Sequence, residues 1–505
     1  MAWWGGSEHP ETGFPTRRFF ATMASKTAVL LLGHGSHIDA GSSRPIHDAA
    51  ARLRKSSPAR EVRVAFWKEE PSLRNAFLLI ESPRVVAVPM FTSEGYFTDS
   101  VLPRELGIEP PLSDVDGLAV RYTRPVGTHP LMASVVLERA RGLTAGDAVD
   151  STTLVILGHG TERHRASGDV VRRLTEQLSG SPGFASVRCA FLDEEPRIVP
   201  ALEAIDTARA VVVPFFIAEG WHVGQTIPRD LGLDRGRALI DGTEVVYSDP
   251  VGTHPALDEV IEQIVEEAEA DGWGQHTEGE GTDPERRSAA MEARAAFIDW
   301  IDGGGPDGRT FLETRARRSG PEHYEIRHVA DAGRDSADLD RSRDPLRALE
   351  IARWTRARSY RPLRTAPDLA GGWLLEGLSA SELWEAYAGL YPVAPVHWYL
   401  GNRSRVRPTS FREAAARQTG IYAPVKELTD AQVLRVSSSR CGPEGCLRRV
   451  VWPLTSGEDS PEPSPDPVPR EEVPCPEPCS LFFTEARELI VREREGVLRE
   501  TRGVD

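Results

Sequence analysis

The chain has 505 residues, with 76 acidic side chains against 60 basic ones and a formal net charge of −16. That length predicts three or four domains, and that sign of charge argues against general nucleic-acid binding. No apolar run reaches the length of a membrane span, and the first 22 residues lack the long apolar core of a secretion signal. The expectation is a cytoplasmic protein with a flexible extension over 1–26, in which Met23 is a second candidate initiator.

In chain order, short runs of valine, isoleucine and leucine alternate with patterns of helical period. Residues 28–32 read as a buried strand, 45–54 as a helix, 62–66 as a strand, 71–80 as a helix and 85–91 as a strand. After a loop and a short helix come a strand at 118–122 and a helix at 129–141. This rhythm predicts a parallel sheet covered on both faces. It then repeats, from a strand at 154–157 to a helix at 255–270.

The repeat is visible in the letters themselves. Residues 33–130 return as 158–255 at a constant offset of 125. LLLGHGS returns as VILGHGT, AFWKEEP as AFLDEEP, VPMFTSEG as VPFFIAEG, LPRELG as IPRDLG, and PVGTHP unchanged. The period is far too long for a solenoid unit. It predicts two similar α/β lobes, 27–145 and 151–270, facing each other.

Residues 271–288 are polar and glycine-rich, a linker. A third unit, 289–430, opens on a helical stretch at 291–301 and continues as strands and turns. Its aromatic residues Trp373, Trp384, Tyr387, Tyr391, Trp398 and Tyr399 predict an α+β core without a catalytic constellation. The tail, 431–505, carries four of the five cysteines, split by a Pro/Glu/Asp-rich segment at 456–473 expected to be disordered or extended. Cys189 stands apart in a predicted strand.

The tail pattern is Cys441-x4-Cys446, 28 residues, Cys475-x3-Cys479. In an intracellular chain such clustering reads as metal binding before disulfides. Glycine and proline surround all four, which suits an iron–sulfur cluster shielded by turns; zinc is the alternative.

The chemistry-bearing positions lie at strand ends. His34 and His159 each sit between two glycines after the first strand of a lobe. Ligands in open parallel sheets bind beyond those ends. The loop after the third strand reads EGWHVGQTIP in lobe two, with Glu219 and His222; lobe one reads EGYFTDSVLP, with Glu94 but Phe97 in place of the second histidine. Two neutral imidazoles and a carboxylate suit a borderline divalent metal, and a histidine kept in one half only points to a single site between the lobes. His129 and His254, in PVGTHP, read as structural or capping residues.

The GHGS/GHGT motif, the EExP segment, the P-(F/M)-F-x-x-x-G loop and the PVGxHP ending together resemble the class II tetrapyrrole chelatases, CbiX-type sirohydrochlorin cobaltochelatases above all, over about residues 27–270. The resemblance implies two flavodoxin-like lobes flanking a macrocycle-sized cleft. It implies insertion of Co²⁺, or in relatives Fe²⁺ or Ni²⁺, into sirohydrochlorin without nucleotide hydrolysis. His159 and His222 carry over as the metal-handling pair, with His34 and Glu219 completing the catalytic set. The resemblance extends to residues 290–500, which look like a stabilising domain followed by a 4Fe-4S domain held by Cys441, Cys446, Cys475 and Cys479, and so to a possible need for an electron donor. Arg44, Arg104, Arg163, Arg165 and Arg229 are candidate partners for substrate carboxylates, with Arg104 and Arg229 recurring in both lobes. Their alternative is to pair with Glu105, Asp230 or Glu94. A non-catalytic metal or tetrapyrrole carrier and an iron–sulfur redox protein are the rival functions.

Overall fold

The computed structural model describes residues 27–36, 42–57, 61–144, 151–160, 166–179, 183–218, 220, 222–274, 289–352, 362–365, 369–441, 446–455 and 472–502; at 166, 167, 222 and 495–502 it describes the backbone only. The expectations for 1–26, for most of the linker and for most of the Pro/Glu/Asp-rich segment lie outside these residues.

Lobe one runs β1 (Thr27–Gly33), α1 (Arg44–Ser56), β2 (Val62–Phe66), a 3-10 turn at Leu73–Leu79, β3 (Arg84–Pro89), α2 (Leu102–Leu106), β4 (Leu112–Val115), β5 (Leu118–Tyr122) and α3 (Met132–Arg141). Its sheet has the order β2-β1-β3-β5-β4. Every pairing is parallel except β4 with β5. Lobe two repeats it as β6 (Thr152–Gly158), α4 (Ala166–Ser179), β7 (Ser186–Phe191), α5 (Ile198–Glu203), β8 (Arg209–Pro214), α6 (Ile227–Asp230), β9 (Arg237–Ile240), β10 (Thr243–Tyr247) and α7 (Leu257–Ala270), in the order β7-β6-β8-β10-β9.

The central strands are apolar throughout because both faces are covered. Along β1, Val29 and Leu31 enter one core while Ala28, Leu30 and Leu32 enter another on the opposite face. The first of these cores is common to both lobes. It joins Val86 and Val88 of lobe one to Val260, Ile261 and Ile264 of α7. Helix α7 packs on β3 and α1, while α3 packs on β8 and α4, so each lobe's last helix roofs the other lobe's sheet. Arg52 of α1 tightens this seam with a two-pronged bond to Asp258 at 2.7 and 2.8 Å.

Two details differ from the expectation. Antiparallel edge strands β4 and β9 stand where the pattern predicts loop, and residues 71–80 form a 3-10 turn rather than an α-helix.

The third unit contains α8 (Ala289–Asp302), β11 (Arg309–Phe311), β12 (Thr314–Arg318), β13 (Tyr324–His328), β14 (Asp340–Ser342), α9 (Arg347–Ile351), β15 (Trp373–Leu378), α10 (Ala380–Leu390) and α11 (Ala394–Asn402). Its mostly antiparallel sheet encloses the six aromatic residues in one core with Phe297, as their composition predicted. The last unit starts before the expected boundary at 430, because Phe411, Ala414 and Tyr422 share a core with Trp452 and Phe482; it has α12 (Phe411–Ala416), a 3-10 turn at Gly420–Glu427, α13 (Asp430–Arg440), the short parallel pair β16 (Arg449–Val450) and β17 (Pro474–Cys475), and α14 (Ser480–Arg502). Capping boxes at Ser379/Glu382, Ser410/Glu413 and Thr429/Gln432 start α10, α12 and α13. Among the described residues no helix is long and apolar enough to cross a membrane.

Candidate active site

The Gly-His-Gly turns leave the carboxyl ends of the interior strands β1 and β6, the place where open parallel sheets bind ligands. Gly35 and Gly160 adopt φ of +65° and +67°, a left-handed conformation that costs a glycine little. The turn reverses the chain and aims the histidine outward. His34 Nδ1 bonds to the Gly35 carbonyl at 2.7 Å, and His159 Nδ1 to the Gly160 carbonyl at 2.9 Å. A neutral imidazole that donates through Nδ1 carries its lone pair on Nε2. The first glutamates of the repeated Glu-Glu-Pro segment, Glu69 and Glu194, brace these turns from below. Glu69 accepts the Ser36 N–H at 2.6 Å, and a Cβ added at Gly160 would lie 2.6 Å from Glu194 Cβ.

The PVGTHP motif holds the second loop of each site. A Cβ on Gly127 would stand 2.4 Å from the Thr92 backbone, and one on Gly252 would stand 2.0 Å from the Ile217 carbonyl oxygen. Next to them, His129 and His254 each accept a backbone N–H at 3.2 Å, from Leu131 and Ala256, at the starts of α3 and α7. Neither is the N-cap itself, which is Leu131 or Ala256; each braces the turn that leads into its helix.

His34 and His159 line one cleft of about 750 Å³, within the range usual for small-molecule sites, roughly 300–1,000 Å³. Met90, Phe91 and Phe216–Ala218 give it apolar walls. The two halves differ in charge. Lys68 and Asp193 are equivalent positions, and each donates its backbone N–H to the carbonyl of its lobe's histidine at 2.9 Å. Asp193 Oδ2 lies 3.5 Å from His159 Nδ1, a carboxylate beside the imidazole. Lys68 instead places an amine near His34, where it adds to burial in lowering the histidine pKa, against the bond to Gly35. His34 also packs against Trp67 and Phe97, with ring centres 5.2 and 5.5 Å away. Phe97, the replacement for the second histidine, thus closes an aromatic wall. The Lys68/Asp193 difference was printed in the AFWKEEP and AFLDEEP blocks, but only the fold puts those letters beside the histidines.

Of the other sequence-derived candidates, His222 opens the turn His222–Thr226 after β8, with only its backbone described. Glu219, Arg163 and Arg165 lie outside the described residues. Arg104 bonds to the Arg417 carbonyl at 3.2 Å and to Glu105 at 3.5 Å, Arg229 pairs with Asp230 at 2.9 Å, and Arg44 pairs with Asp48 at 3.5 Å. None of the three is part of the cleft lining. Among the described residues no three His, Cys, Asp or Glu side chains stand close enough to hold one ion.

Away from the cleft, Cys441, Cys446, Cys475 and Cys479 line a single cavity with Trp452, Phe482 and Arg448. Burial pushes Cys441 up to about 11 and Cys479 up to about 12, and the neighbouring thiols add to the shift. Four thiols around one cavity, with the Arg448 guanidinium beside them, are a donor set that ligation to iron or zinc would deprotonate and stabilise. The four thiols do not converge on one ion, but lining one cavity they fit a multi-iron cluster, whose ligands bind separate irons.

The CbiX family profile matches residues 28–143 and 153–268. A Halobacterium salinarum protein named "Probable sirohydrochlorin cobaltochelatase" is 38% identical over 265 residues, spanning 47% of this chain and 91% of that one. The chain belongs to the CbiX chelatase family. A Methanopyrus kandleri protein named "Sirohydrochlorin cobaltochelatase" matches at 28% identity over 137 residues, covering 23% of this chain and 95% of its own. The solved structure of DR2241 from Deinococcus radiodurans, described as a multi-domain protein with structural similarity to chelatases and two additional novel domains, aligns with a TM-score of 0.75 and 28% identity. It covers 92% of this chain and 99% of that one. The third and fourth units have family matches of their own: the DR2241 stabilising domain over 292–402 and a 4Fe-4S iron–sulfur cluster binding domain over 403–488. This chelatase is thus two CbiX lobes followed by a stabilising and an iron–sulfur unit.

Proposed function

We propose that this chelatase inserts Co²⁺ into sirohydrochlorin without nucleotide hydrolysis. The observation that carries the reading is the cleft itself: His34 and His159 face it from paired sheet ends, with a carboxylate on one side and an amine on the other. The names of the relatives support the tetrapyrrole and the metal.

The charge asymmetry divides the labour. A cation is drawn to the lobe-two side, where Asp193 stands beside His159. There His159 and His222 replace its water ligands one by one, lowering the cost of dehydration. The lobe-one side offers an amine in place of that carboxylate, and His34, whose pKa is lowered by desolvation and by Lys68, accepts a pyrrolic proton. Glu219 and Glu94 relay protons and balance charge at the mouth. Cys441, Cys446, Cys475 and Cys479 hold a 4Fe-4S cluster, which when bound supplies one-electron chemistry and draws on an external electron donor.

Anaerobic protein given sirohydrochlorin with competing Co²⁺, Fe²⁺ and Ni²⁺ should form the cobalt product fastest over many turnovers, read by visible absorption. Stoichiometric uptake without turnover would identify a carrier instead. His159→Ala should lower kcat/KM about a hundredfold or more; an unchanged value would remove His159 from the mechanism.

A further inference from the structure

The CbiX match ends at residue 268, yet the cleft does not. Part of its lining is Thr419, Gly420, Ile421 and Tyr422, from the iron–sulfur unit. Ile421 is 65% exposed, one of the most exposed large apolar side chains described. It is presented by a sharp reversal: Thr419 is extended at φ −131°, Gly420 is left-handed at φ +58°, and the 3-10 turn follows. A Cβ on Gly420 would meet nothing within 4 Å, so the glycine is there for backbone shape and not for space.

The turn is fastened to lobe one. Lys68 Nζ lies 3.4 Å from the Trp67 ring centre and 4.0 Å from that of Tyr422, an amine held between two aromatic faces from different units. Behind it Arg74 bonds to Glu105 of lobe one at 2.9 Å and to Glu477 of the iron–sulfur unit at 2.8 Å. The Arg104 bond to the Arg417 carbonyl ties down the residues just before the turn.

We propose that residues 419–422 are part of the tetrapyrrole-binding site, with Ile421 packing on the macrocycle and Tyr422 fixing the turn to lobe one through Lys68. The iron–sulfur unit then acts as a specificity element of the chelatase cleft, independently of any electron it carries. An apolar side chain exposed at the rim of a cleft that binds a large, flat, conjugated ring gains most by being covered by that ring. This inference rests on the tetrapyrrole reading of the cleft.

The test is titration of the full-length, cluster-loaded protein with metal-free sirohydrochlorin, followed by absorbance, alongside KM and kcat for insertion. Ile421→Asp should weaken binding and raise KM about tenfold, the loss of one buried aliphatic side chain, while kcat and the cluster absorption hold. Tyr422→Leu, which frees Lys68 from one of its two rings, should also raise KM. Lys426→Ala, exposed further along the same turn, should change neither. Wild-type affinity in both Ile421→Asp and Tyr422→Leu, or equal weakening in Lys426→Ala, would overturn the inference alone. Failure of the wild-type protein to bind sirohydrochlorin at all would instead overturn the reading beneath it.

Discussion

The histidines were legible because each is framed by glycines at the end of an apolar strand, a pattern with few structural uses. Their electrostatic setting was not. Lys68 is 5% exposed, and while its partner Trp67 is its neighbour in the chain, its partner Tyr422 belongs to the iron–sulfur unit. No local pattern brings those residues together. Burial draws the Lys68 amine down to about 7, against the pull of Glu105 and with the push of Arg74. An unfolded lysine titrates near 10.4. Between those values the unfolded chain binds a proton that the folded chain lacks, so stability rises with pH across that window. Lys68→Met should remove a slope of at most about 1.4 kcal/mol per pH unit. Melting temperatures of both proteins at pH 7.5 and 9.5 check this: the wild type should gain on the variant at the higher pH.

At the scale of elements, most strands and helices followed from period and apolar content. The edge strands β4 and β9 escaped because they are short and half exposed. A signal was nonetheless present, since Asp116–Gly117 and Asp241–Gly242 are Asp-Gly pairs with positive φ at both residues, the turn that joins tight hairpins. The 3-10 turn at Leu73–Leu79 has the apolar content of a helix, and only its hydrogen bonds tell the two apart. In the repeated PVGTHP the histidine is the conspicuous letter, but the glycine is what lets the two loops of each site approach. Gly252→Ala should cost roughly 1–3 kcal/mol by overpacking and push Ile217 into the cleft. Urea denaturation and kcat/KM should fall together; a variant with normal stability and activity would show that the loop yields freely.

For the whole molecule, the tandem duplication told the number of lobes and their likeness, and the cysteine spacing marked the tail as a metal unit. How the tail meets the lobes was not readable, because it depends on single long-range pairs such as Arg74 with Glu477. Protein purified without air should be brown and absorb toward the blue end of the visible range, whereas colourless protein with stoichiometric zinc would reverse the assignment. Cys479→Ser should bleach the colour and lower the melting temperature by several degrees, since ligation no longer offsets the burial of the remaining thiols.

The exchanged helices α3 and α7 set a rule for how anything gets in. Leu257, Val260, Ile261, Ile264 and Val265 of α7 are buried in the shared core, and stripping each from it would cost about 1.5–3 kcal/mol. Jaws woven through one another in this way are expected to resist gaping. A broad, rigid guest has to slide in edge-on along the rim and leave by the same slot, so probes placed on the two sheets should keep their separation through the entire catalytic cycle.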